Sequence, residues 1–102
     1  MNYDVIALFQ DPISHITQEV SRNTYRDVTL EQAKACADET MEELGCQKDM
    51  PTHGNNTWHI NHRYPTPVYS RDYYIEYHPD TGDMLDTPSE LWVYIGESPL
   101  TL

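Results

Sequence analysis

The chain has 102 residues, enough for one compact domain with a modest core, and its 38% hydrophobic content, with eight Tyr and two Trp, argues against a disordered acidic tail. Seventeen acids against six bases give a formal net charge of −11, which disfavours direct contact with nucleic acid or an anionic membrane and favours basic partners. No apolar run approaches the roughly 18 residues of a membrane span and no basic stretch precedes the apolar N-terminal run, so the expectation is a cytoplasmic protein.

Taken in order, Asn2 to Gln10 is almost continuously apolar from Val5 to Phe9, which reads as an interior strand covered on both faces. Asp11-Pro12 ends it. The following ISHITQEVSRN carries two conflicting signals. Asp11 as N-cap, Pro12 in the first turn, and Ile13, Ile16 and Val20 at helical spacing predict a second short helix over residues 12–21. The β-branched content of the same stretch favours a hairpin partner for the first strand instead. The helix is the favoured reading, with Arg22 to Val28 as a connection.

Thr29 to Gly45, TLEQAKACADETMEELG, is the best-defined segment. Thr29 and Gln32 form a Thr-x-x-Gln capping box, Gly45 stops the helix, and Leu30, Ala33, Ala37, Met41 and Leu44 make one apolar stripe along about 22 Å. The remaining surface holds Glu31, Asp38, Glu39, Glu42 and Glu43 against Lys34, a net charge of minus four. Asp38 with Glu42 and Glu39 with Glu43 are like-charge pairs, each unfavourable by about 0.2–0.5 kcal/mol, and the last two glutamates oppose the helix dipole. A local rule broken without structural gain directs attention to function.

Beyond Gly45, CQKDMPTHGNNT reads as a polar loop. Cys36 and Cys46 lie about 15 Å apart along the helix axis, beyond the roughly 7 Å limit for a bridge, so free thiols in a reducing compartment are expected and the sequon at Asn55 is a chance match. Trp58 to Tyr64 alternates as a strand. After Pro65 and Pro67 a second alternating run covers Val68 to His78, with Tyr69, Tyr73, Ile75 and Tyr77 on one face and Ser70, Asp72, Tyr74, Glu76 and His78 on the other. Pro79 to Asp83 is a turn with Gly82 suited to positive φ. Met84-Leu85 begins a return strand before Pro88, and Leu91 to Ile95 is the last strand, with Trp92 and Tyr94 opposite Leu91, Val93 and Ile95.

These elements predict a single α+β domain over residues 1–102, a mostly antiparallel sheet of about four strands with the helix 29–45 packed on one face. The last base is Arg71, so residues 72–102 carry a net minus seven without a Lys or Arg. If the Tyr73, Ile75, Val93 side meets the helix, the other side presents Tyr74, Trp92 and Tyr94 among Asp72, Glu76 and Glu90. Aromatics ringed by acids suit a protein-binding surface selective for a basic partner; cover by a second helix or a homodimer interface is the alternative.

Site chemistry is sparse. His59-x-x-His62 projects to opposite strand faces and no Cys-x-x-Cys is present, so neither a zinc site nor a cofactor is expected. Ser14-His15 lies near carboxylates, as any such pair does in an acidic chain, and no nucleophile elbow or phosphate-binding glycine loop occurs. The sequence therefore points to a non-enzymatic interaction protein that occupies a basic, nucleic-acid-binding site on another protein, as phage anti-restriction and anti-CRISPR inhibitors do. Its candidate contacts are Glu31, Asp38, Glu39, Glu42 and Glu43 on the helix and Asp72, Tyr74, Glu76, Glu90, Trp92 and Tyr94 on the sheet. An immunity-type or regulatory module using the aromatic face is the alternative, and a small enzyme or zinc protein a third.

Overall fold

The computed structural model describes residues 1–47, 57–61 and 68–97. Five strands and one helix follow in the order β1 (Tyr3–Gln10), β2 (Thr17–Tyr25), α1 (Leu30–Glu43), β3 (His59–Asn61), β4 (Val68–Tyr77) and β5 (Met84–Glu97). All neighbours in the sheet order β2-β1-β5-β4-β3 are antiparallel. The class is α+β as expected, with five strands where about four were anticipated.

The additional strand is β2, and it corrects the expected helix over 12–21. Asp11 does act as a cap, but of a turn: its Oδ1 accepts from the amides of Ile13 at 2.8 Å and Ser14 at 3.0 Å. His15 then adopts a left-handed φ of 61°, and Gln10 pairs with Thr17, so the chain reverses into a hairpin. Ile13 and Ile16, two members of the apparent helical stripe, stand 79% and 66% exposed. The strand wins because the hairpin satisfies backbone groups along β1 that a helix would have left unpaired.

The helix forms as read. Thr29 Oγ1 accepts from Gln32 N at 3.1 Å and Gln32 Oε1 accepts from Thr29 N at 2.9 Å. At the other end Cys46 N donates to Met41 O and Gly45 N to Glu42 O, both at 3.0 Å, a Schellman motif in which Gly45 takes the φ of 91° that a side chain would resist. Ala33, Ala37 and Met41 are buried, with Leu30 and Leu44 packed at the margins. The alanines let the helix sit close over β1 and β5, against Val5, Ala7, Phe9, Tyr73, Ile75, Leu91, Val93 and Ile95.

Only that face of the sheet is covered among the described residues. The interior position expected for β1 holds, since it lies between β2 and β5, but cover on both faces does not: Val5, Ala7 and Phe9 are buried while Ile6 and Leu8 are half-buried on the opposite face. Of the strand expected over Trp58 to Tyr64, His59–Asn61 is formed; its remainder from residue 62, and most of the polar loop after Gly45, lie outside the described residues. The return strand and the last strand are one element, β5, whose pairing with β4 shifts between Ile75 and Tyr77 so that Pro88 sits within the irregularity. The intervening turn brings Gly82 to a φ of 75° as expected.

Candidate functional site

The uncovered sheet face is built by strand alternation. Ile6 pairs with Tyr94 and Leu8 with Trp92 across β1 and β5; Ser70 pairs with Tyr94, Asp72 with Trp92 and Tyr74 with Glu90 across β5 and β4. Paired residues share a face, so Ile6, Leu8, Trp92, Tyr94 and Tyr74 form a continuous apolar and aromatic surface with Asp72 and Glu90 set into it. Glu76 joins them, accepting from the Tyr74 hydroxyl at 3.0 Å. Burial and then that carboxylate raise the Tyr74 hydroxyl above its ordinary range.

At one end this surface deepens into a groove of about 400 Å³ lined by Asp4, Ile6, Leu8, Glu19, Arg22, Val68, Tyr94, Gly96 and Glu97. Its floor is apolar and its rim charged. Arg22, the basic member of the lining, is held by Glu19 at 2.6 Å, and Asp4 accepts from Thr24 Oγ1 at 2.6 Å. Ile6, Leu8 and the groove are absent from the sequence-based site. The signal was present in the unbroken apolar run of β1, which read as core on both sides.

The structure places the helix acids on the other side of the molecule, since the helix covers the opposite sheet face. Glu39, Glu42 and Glu43 are exposed there, and Glu31 meets Lys34 at 3.5 Å. Lys34 also sits over the Tyr69 ring, 5.2 Å from its centroid. Asp38 is different in kind. It accepts from Arg71 Nη1 at 3.0 Å and from the Tyr73 hydroxyl, at the seam between helix and sheet. Arg71 in turn lies 4.8 Å from the Tyr73 ring centroid. Burial, reinforced by the Asp38 carboxylate, pushes the Tyr73 hydroxyl far above its ordinary range. No family model, curated protein or solved structure matches this chain.

Two further arrangements have chemical interest. Ser70 Oγ lies 2.9 Å from His59 Nε2, while His59 Nδ1 lies 3.1 Å from the Thr57 carbonyl oxygen. A carbonyl only accepts, so Nδ1 carries a proton, and in the neutral ring Nε2 then accepts from the serine. That is the connectivity of a nucleophile and its base, but Ser70 is 5% exposed and closed to substrate, so the pair acts as a clasp between β3 and β4. No group of three or more His, Cys, Asp or Glu is arranged to hold a metal among the described residues, and no helix among them is long and apolar enough to cross a membrane.

Both cysteines are free. Burial pushes the Cys46 thiol up to about 12, whereas Cys36 is partly exposed on the helix. Alkylation with iodoacetamide in native buffer should therefore modify Cys36 first, with Cys46 modified only on unfolding, as peptide mass spectrometry over time would show. Equal rates for the two would contradict the burial of Cys46 in the core.

Proposed function

We propose that this chain is a non-enzymatic binding protein that engages a basic surface of another protein through the uncovered sheet face. The observation that carries the reading is the excess of apolar side chains on that face. Ile6, Leu8, Tyr74, Trp92 and Tyr94 are half-buried with no second layer over them among the described residues, and Asp72, Glu76 and Glu90 stand among them. Large side chains of this kind supply contact area, and the acids reject anionic partners while selecting cationic ones.

The partner class follows from charge. A chain of −11 is steered toward strongly basic surfaces, and the commonest such surfaces on intracellular proteins are those that hold nucleic acid. Occupying such a site would make the chain an inhibitor of a nucleic-acid-handling protein, the mode used by phage anti-defence inhibitors. The exposed helix acids Glu31, Glu39, Glu42 and Glu43 then contribute to steering from the far side.

The test is a tagged capture from the native host at low and moderate salt, with Trp92→Ala alongside. The expected result is a basic, nucleic-acid-handling protein that weakens with salt and is lost with Trp92→Ala, since truncating a central aromatic anchor costs about 2 kcal/mol or more. The same set of proteins captured by wild type and Trp92→Ala would remove the sheet face from the proposal. A capture without any basic protein among the salt-sensitive binders would remove the charge argument.

A further inference from the structure

We infer that the groove beside Gly96 is an anchor subsite that takes one large apolar side chain from a cationic segment of the partner protein. This rests on the reading of the uncovered sheet face as the binding surface, and it names the feature of the partner that sets specificity.

Gly96 widens the groove by having no side chain. Gly96 pairs with Asp4 on β1 and with Val68 on β4, so on the uncovered face it leaves a gap between those two, walled by Ile6 and Tyr94 on the same face. Its backbone does not need glycine: a Cβ built there meets only Val68 Cγ2, at 3.9 Å, and the strand conformation is one that any residue adopts. A glycine within a strand costs stability relative to a β-branched residue. Here it opens into an apolar hollow of about 400 Å³, within the range of pockets that bury small ligands and anchor side chains.

Charge complementarity identifies the occupant. Arg22 and Glu19 neutralise each other in their ion pair, which leaves Asp4 and Glu97 to give the rim its net negative charge. Asp72 and Glu90 extend the negative field along the same face. An apolar floor inside an acidic rim fits a Leu-like or Met-like side chain flanked by Lys or Arg, as on one face of a basic amphipathic segment. Another hollow, between the β1–β2 and β4–β5 turns, has Pro12, Ile13, Met84 and Leu85 in its lining beside Asp11, Asp83 and Asp86, but it is formed by the turns and shares no residue with the aromatic sheet face.

The experiment compares three short synthetic peptides by amide-resolved NMR: one of Leu and Lys, one with Ser in place of Leu, and one with every Lys acetylated. The Leu/Lys peptide should shift the amides of Ile6, Leu8, Tyr94 and Gly96 and bind at least about tenfold more tightly than the other two. Gly96→Val puts a side chain into the hollow from a Cβ that finds only ordinary contact with Val68, so it should keep the melting temperature of the wild type, or raise it, while weakening that peptide by about tenfold. Equal binding of the Ser/Lys and Leu/Lys peptides, or no effect of Gly96→Val on a folded protein, overturns the anchor subsite and leaves charge-driven binding standing. Equal binding of the acetylated peptide overturns the basic-partner reading as well.

Discussion

Asp38→Ala is expected to destabilise the protein by about 2–3 kcal/mol, lowering the melting temperature by roughly 10–20 °C in a domain of this size. The side chain looks like one more surface acid in the helix, yet it is 24% exposed and its partner Arg71 is 14% exposed. Removing the carboxylate leaves the Arg71 guanidinium partly desolvated without its counter-ion and takes the acceptor from the Tyr73 hydroxyl. Arg71 already carries a buried Nε without a hydrogen-bond partner among the described residues, so it has little alternative solvation to fall back on. A fully buried pair broken on one side costs about 3–5 kcal/mol, and the residual exposure here places the expectation below that range.

The mechanism is separable from a loss of helix propensity, because Ala is the better helix former. Asp38→Asn keeps an acceptor and should lose about 1 kcal/mol, less than Asp38→Ala. In the double variant Asp38→Ala with Arg71→Met both charges are gone, and much of the loss should return, giving a coupling of about 1 kcal/mol or more by thermal or denaturant unfolding. An Asp38→Ala protein within about 0.5 kcal/mol of wild type would show that the seam is held by apolar packing alone.

Helix and sheet differed in how far they could be read from sequence. The helix was legible to its caps because Thr29, Gln32 and Gly45 act locally, through hydrogen bonds that close within a turn. The segment 12–21 was not legible, because Ile13, Ile16 and Val20 fit a helical stripe and only the pairing of β2 with β1 decides against it. Long-range pairing overrides local propensity in such stretches. Asp38 was misplaced among the surface acids, although alternation along β4 puts Arg71 on the same side as Tyr69, Tyr73 and Ile75. A cation on the core face demands a buried partner, and that demand pointed to the helix. The sheet-face aromatics were legible from alternation alone, whereas Ile6 and Leu8 were absorbed into a core that covers only one side of β1.

The sidedness of the fold makes binding by the two acidic surfaces separable. Replacing Asp72, Glu76 and Glu90 with Lys should abolish capture of a basic partner, a loss of about 100-fold or more, because these acids lie within the apolar contact area where water is excluded on binding. Replacing Glu31, Glu39, Glu42 and Glu43 with Lys makes a larger change in total charge but should weaken capture by only about threefold at moderate salt. A helix is about 10–12 Å across, so carboxylates on its outer side stand farther from the opposite sheet face than the Debye length of about 8 Å. At low salt the two sets should converge, since the far acids then contribute to the encounter rate. Asp38 is kept in both sets so that the seam with Arg71 stays intact. Surface plasmon resonance against the captured partner would resolve the two effects, with the sheet set raising the dissociation rate and the helix set lowering the association rate. The reverse pattern, with the helix set decisive and the sheet set silent, would move the binding surface to the helix and leave the aromatic face to some other occupant.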